Sequence, residues 1–315
     1  MVQRELHGRA PLRISFAGGG TDLESVFLKH GGTVINATIA QHTNMTIKQR
    51  DDSKIFVNTV PLENADVLTQ NIISKILPPT GLDITYTNDV PPRRGLGSSS
   101  TYSVLLTRMI NELCGRSIND TDVVEQAYNI ESDLGICGWQ DQYAVAFGGF
   151  NYMQFSKEQR LVFPLRIKYS TIRELESSLL LSFTGGSHDS YAIKNVYDDR
   201  SVGELKSLAN MVRDALLHDD VPAIGHLLHT AWEVKQRTLS NNNIFNDIYR
   251  YWQGQGVTGG KLLGAGDGGY FLFFVPPNIR YKVEEQMRAK GSVAVPIYFT
   301  DKGVETWTPK KENNI

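Results

Sequence analysis

The chain has 315 residues, is 41% hydrophobic, and carries 32 basic and 34 acidic residues for a formal net charge of -2. That length and apolar content support a real core in one large domain or two moderate ones sharing a seam, and the even spread of charge offers no basic stripe for a nucleic-acid backbone. Only Cys114 and Cys137 are present, with no CxxC pair and no histidine cluster beside them, which argues against a disulfide framework or a zinc site and fits a reducing, cytoplasmic compartment. The opening MVQRELHGRAPLRISF interrupts any apolar signal with charges, and no run of about 18 apolar residues occurs, so neither a secretory signal nor a membrane span is expected. A small-molecule ligand fits best.

In chain order, TVINATIA, TNMTIKQR and KIFVNT, between Thr33 and Thr59, are β-branched and alternating and predict separate antiparallel strands. After PPRR the period changes: Val104, Leu105, Leu106, Met109, Ile110 and Leu113 recur at helical spacing, with Gly115 as the stop. A second helix runs from the Asn119–Thr121 region, carries Val123, Val124, Ala127, Tyr128 and Glu131, and ends near Gly135. GGFNYMQF and SLLLSFTGG read as strands, and Val202 to His218 and Ala223 to Thr238 as amphipathic helices. GGKLLGAGDGGYFLFFVPP gives two apolar runs joined by glycines, followed by a helix near Lys282 to Lys290 and a strand from Val293 to Phe299. Without regular βαβ alternation, the class is α+β rather than a doubly wound parallel sheet.

PPRRGLGSSSTYSVLL, residues 91–106, runs a glycine and serine loop directly into the start of a strong helix. Unpaired N–H groups and the helix dipole there suit an anion, Gly95 and Gly97 allow close backbone approach, and serine hydroxyls suit phosphate or Mg²⁺. The same serines also suit a plain helix cap. GQGVTGGKL misses the phosphate-loop spacing by one residue and has Leu262 where Ser or Thr is required. GAGDGG matches the dinucleotide glycine pattern but leads into YFLFF, a strand, so that reading fails its context. Glu131 falls on the apolar row of its helix, either reaching solvent at the edge or paired there, and Asp141 in GWQDQYA is either a functional carboxylate or a turn acid.

Taken together and in order, RAPLRISFAGGGTDL, PPRRGLGSSSTYS, GWQDQYA and KLLGAGDGGYFLFF resemble the GHMP kinase family over nearly the whole chain. The resemblance implies an α+β two-lobed fold, with a ribosomal-protein-S5-domain-2-like lobe over residues 1–170, a ferredoxin-like lobe over 171–315, and the active site between them. It implies an ATP- and Mg²⁺-dependent sugar kinase. Gly95, Leu96, Gly97, Ser98, Ser99, Ser100 and Thr101 would wrap the ATP phosphates, and Ser99 and Glu131 would hold the metal. Asp141 would receive the proton of the attacking hydroxyl, with Arg13 as its basic partner.

Within the family, AGGGTDL and the run from Trp139 to Gln142 are most similar to the D-glycero-D-manno-heptose 7-phosphate kinases, which phosphorylate the anomeric hydroxyl on the way to nucleotide-activated heptose for surface glycans. Gly18, Gly19, Gly20, Thr21 and Asp22 would then line the sugar pocket, with Gly264, Gly266 and Asp267 close by. His188 and Lys194 are candidates for a phosphate clamp, with Lys235 and Arg237 behind them, and Arg93 and Arg94 either grip a phosphate or, the favoured reading, are solvated. A fucokinase or galactokinase acting on a free hexose would need no such clamp, and a sugar sensor on the same fold would need no catalysis. The expected partner is a sugar or sugar phosphate, with no nucleic acid or membrane; a homodimer is compatible.

Overall fold

A computed structural model describes residues 4–92, 94–135, 137–184, 197–239, 243–266 and 268–310. The first half of the chain runs β1 (Glu5–Ala17), α1 (Glu24–His30), β2 (Gly32–Arg50), β3 (Ile55–Val57), β4 (Val60–Pro61), α2 (Val67–Ile76), β5 (Gly81–Asn88), α3 (Ser98–Leu113), α4 (Asp120–Ser132), α5 (Gln140–Phe147), β6 (Phe150–Phe155) and β7 (Arg160–Pro164). Then follow α6 (Tyr169–Ser178), β8 (Leu179–Phe183), α7 (Asp199–Leu217), α8 (Val221–Thr238), α9 (Asn243–Gly254), β9 (Gly259–Leu262), β10 (Tyr270–Phe274), α10 (Pro277–Ala289), β11 (Ala294–Pro296) and β12 (Glu305–Trp307).

Two sheets organise these elements into an α+β, two-lobed fold. The first has the order β12-β1-β2-β5-β3-β4, with β6 paired to β2 and β7 paired to β6; the second has the order β11-β8-β10-β9. The two segments expected as separate strands after Thr33 are one 19-residue strand, β2, because no glycine or proline interrupts it and both halves find partners: β6 along Gly32–Ala37 and β5 along Thr43–Arg50. The next strand is not antiparallel to all its neighbours, since β3 pairs with β5 in parallel and with β4 antiparallel. The last predicted helix begins earlier than its apolar pattern suggests, at Pro277, where a ring-locked φ suits the first turn. β12 returns from the end of the chain to pair with β1.

Helix α3 lies over β1 and β2, packing Leu105, Met109 and Ile110 into one apolar cluster with Ile47, Leu82 and Ile84. A second cluster ties the sheets together: Leu12, Ile14 and Phe16 of β1 meet Leu179 and Leu181 of β8, Leu272 of β10, and Leu205, Leu208 and Val212 of α7. The register of β1 against β2 shifts between Pro11 and Leu12, and this changes which residues face α3. Before the shift Gly8 faces its body; beyond it Arg13 meets Gly97, the residue that precedes the helix.

At Gly8 the helix sits so close that an added Cβ would lie 2.8 Å from Met109 Sδ and 2.9 Å from Leu105 Cδ1. Gly8→Val is expected to lower stability by about 1–3 kcal/mol through overpacking, measured as a shift of the urea unfolding midpoint. An unchanged midpoint would mean that α3 is not held at that distance.

Candidate active site

A cavity of about 410 Å³ opens where the start of α3, the β1 end, the start of α5 and the β9–β10 turn converge. Its floor is the loop predicted to bind anions. Gly95 (φ 86°) and Gly97 (φ 76°) take left-handed backbone conformations, and Ser98, Ser99 and Ser100 begin the helix and line the cavity. The third glycine motif packs directly on this loop: a Cβ on Gly264 would lie 2.5 Å from Gly95 Cα, and one on Gly269 would lie 2.3 Å from the Arg94 carbonyl. Glycine there is a requirement of close backbone contact.

Above the loop, Arg13 and Asp141 form a two-pronged ion pair. Arg13 Nε donates to Asp141 Oδ1 at 2.6 Å and Nη2 donates to Oδ2 at 2.5 Å, while Nη1 donates to the Gly95 carbonyl at 2.7 Å. Arg13 is 4% exposed, so one buried guanidinium fixes both the carboxylate and the loop. Glu131, also buried, accepts from Ser100 Oγ at 2.9 Å and Gln142 Nε2 at 2.8 Å. A carboxylate beside serine hydroxyls at a helix start is an oxygen donor set suited to a hard cation, and the glycine-lined helix start suits a polyphosphate. ATP and Mg²⁺ therefore fit the residues present.

Asp22 is held at the cavity wall by the Gly20 and Gln140 amides, at 2.9 and 3.1 Å, and by Gln140 Nε2 at 3.2 Å. Burial, reinforced by Asp141, raises its pKa above the usual carboxylate value. Gly19, Gly20 and Asp22 line the cavity, but Gly18 and Thr21 stand behind the wall: Thr21 is fully buried, donating to the Gly18 carbonyl and exchanging hydrogen bonds with the Thr33 backbone. Leu96 and Thr101 likewise point away, Leu96 into the inter-sheet apolar cluster and Thr101 to the Pro11 carbonyl at 3.2 Å. Gly266 packs on Leu239 rather than lining the cavity. Arg94 is only partly solvated; its guanidinium stacks 3.9 Å from the Phe183 ring centroid, and its Nε is buried. Arg93, His188, Lys194 and Asp267 lie outside the described residues.

The family model described as GHMP kinases N terminal domain matches residues 65–149, which contain the loop, Glu131 and Asp141. Over 96% of this chain and 99% of its own length, a Campylobacter jejuni protein named D-glycero-alpha-D-manno-heptose 7-phosphate kinase is 31% identical. The chain belongs to the GHMP kinase family. A Bacteroides thetaiotaomicron structure described as a D-glycero-D-manno-heptose 1-phosphate kinase superposes with a TM-score of 0.78 at 29% identity, covering 97% of this chain and all of that one. The likeness to Lactococcus lactis galactokinase, TM-score 0.72 at 15% identity over 96% and 95% of the two chains, is one of fold. GHMP kinases are phosphotransferases that take phosphate from ATP, generally with Mg²⁺. No helix among the described residues is long and apolar enough to cross a membrane.

Among the residues lining the cavity of this GHMP kinase that were not singled out as site residues from its sequence are Ser15 and Lys261, and Lys235 was noted only as standing behind the clamp candidates. Lys261 was hidden because its segment reads as a failed phosphate loop, whereas it belongs to strand β9, which aims it at the β1 end. Burial, then repulsion from Arg13, lowers its pKa from 10.5 to about 7. A base whose pKa falls on folding binds fewer protons folded than unfolded, so its stabilising contribution is complete above the unfolded value and is lost as pH falls through the folded one. Lys261→Met is thus expected to melt at a higher temperature than the wild type at about pH 6, with the gap narrowing toward about pH 10. Thermal melts with the same gap at both pH values would contradict this.

Proposed function

We propose that this kinase transfers the γ-phosphoryl group of ATP to the anomeric hydroxyl of D-glycero-D-manno-heptose 7-phosphate, giving the 1,7-bisphosphate for nucleotide-activated heptose synthesis. The observation that carries the reading is the Arg13–Asp141 pair held directly over the glycine and serine loop at the start of α3. A curated relative matched over 96% of the chain is named for this substrate.

In the proposed mechanism the amides at the start of α3, with Gly95 and Gly97, bind and orient the polyphosphate of ATP. Ser99, Ser100 and Glu131 would hold Mg²⁺, which supplies charge neutralisation on the phosphates. Asp141 receives the proton of the attacking hydroxyl, and Arg13 fixes the carboxylate in line and offsets the negative charge that develops on transfer. The sugar would lie against Gly19, Gly20 and Asp22. Ser15 Oγ and Gln140 Oε1, both buried beside Gly19 and without hydrogen-bond partners among the described residues, would meet its hydroxyls. Phosphoryl transfer leaves the protein mostly positioning and electrostatics to do, and this set of residues supplies both.

The test is ADP release from ATP and Mg²⁺ with heptose 7-phosphate, mannose, fucose and galactose as alternative acceptors. Turnover is expected on heptose 7-phosphate, with Asp141→Asn lowering kcat roughly 10²–10⁴-fold. Turnover on a free hexose instead would discard the heptose reading and keep the mechanism; ATP binding with no turnover on any acceptor would favour a sensor. Glu131→Gln is expected to raise the Mg²⁺ concentration for half-maximal rate by roughly 10-fold or more. An unchanged Mg²⁺ requirement would remove Glu131 from the metal site.

A further inference from the structure

The cavity holds more positive charge than the proposed reaction centre uses. Arg13 is committed to Asp141 and to the Gly95 carbonyl. Two further ammonium groups line the same space from the opposite side, Lys235 on α8 and Lys261 on β9. Their partners are carbonyls alone: Lys235 Nζ donates to Leu262 at 2.8 Å and Gly264 at 2.5 Å, and Lys261 Nζ donates to Phe16 at 3.3 Å. Among the described residues neither is ion-paired with a carboxylate. Lys261 is 6% exposed, and an ammonium buried without a counter-charge is strongly disfavoured. The two lysines repel each other and both are repelled by Arg13, so what the group lacks is an anion.

Their position narrows the kind of anion. Gly264, whose carbonyl holds Lys235, packs on Gly95 of the proposed ATP loop, while Phe16, whose carbonyl holds Lys261, leads into the glycine turn proposed for the sugar. The lysines therefore stand between the two substrates of the proposed reaction. A phosphate with several free oxygens can take hydrogen bonds from both ammonium groups at once and supplies the missing negative charge.

We infer that Lys235 and Lys261 form an anion subsite that receives a phosphate group, carried either by the acceptor sugar or by ATP, at the seam between the two sheets. The acceptor case rests on heptose 7-phosphate being the substrate; the ATP case does not. A phosphate there would favour the charged form of both lysines and turn a destabilising pair into a binding one. It would also account for one buried and one half-buried lysine that the Arg13–Asp141 centre leaves without a task.

The experiment is calorimetric titration of the full chain with heptose 7-phosphate and, separately, with MgATP, for wild type, Lys261→Met and Lys261→Arg, with initial rates alongside. Lys235→Met is the second neutral variant, and thermal melts establish that each variant is folded. If the acceptor's phosphate occupies the subsite, Lys261→Met weakens heptose 7-phosphate binding and raises its KM by 10-fold or more, leaves MgATP binding within threefold, and is rescued at least partly by Lys261→Arg. If the γ-phosphate occupies it, the loss falls on MgATP binding and kcat. Folded neutral variants that bind both ligands as the wild type does would overturn the inference and make the lysines structural. Should the wild type bind no heptose 7-phosphate, the substrate reading fails, and the MgATP titration alone decides for or against the lysines.

Discussion

A single guanidinium joins the parts of this molecule that chemistry needs together. Arg13 binds Asp141 with two donors and the Gly95 carbonyl with a third, so β1, α5 and the loop entering α3 share one buried cation. Removing Asp141 would leave the Arg13 charge buried and uncompensated, whereas Asp141 itself keeps partial contact with solvent. The geometry around it follows from that constraint. The register shift after Pro11 presents Arg13 to the start of α3, and the absence of side chains at Gly95, Gly97 and Gly264 allows the backbones to close around it.

The electrostatics of the cavity are consistent with a site that handles phosphate. Carboxylates sit on one side, with Asp22 pushed toward its protonated form and Glu131 held by neutral donors, while Lys235 and Lys261 sit on the other with depressed pKa values. Each shift has desolvation as its largest cause, which means that these groups are held in the low-dielectric seam against their preference for water. Such an arrangement is stable because the large apolar cluster spanning both sheets determines it, and it is the kind of preorganisation that electrostatic catalysis requires.

Much of this was legible in the sequence where the signal is local. The α3 loop and helix, Asn119 capping α4, and Gly115 ending α3 follow from glycine conformation, capping side chains and a 3.6-residue period. The two carboxylates on apolar faces, Glu131 and Asp141, stood out for the same reason. What stayed hidden depends on distant partners. RAPLRISF does not look like a central strand, with Pro11 and two arginines, until β2 and β12 pair with it. The eight-residue α5 is too short for a clear period. Thr21 reads as a pocket residue from its motif, yet the Thr33 backbone claims its hydroxyl, and Lys261 enters the cavity only because β9 runs along β10.

The central claim is that the Asp141 centre activates the hydroxyl at the anomeric carbon. The most direct measurement is correlated phosphorus and proton NMR of the product formed from heptose 7-phosphate and ATP. The account predicts a second phosphorus signal coupled to the anomeric proton. A new phosphorus coupled to any other sugar proton would contradict it, as would ADP formation that leaves the sugar with its single phosphate.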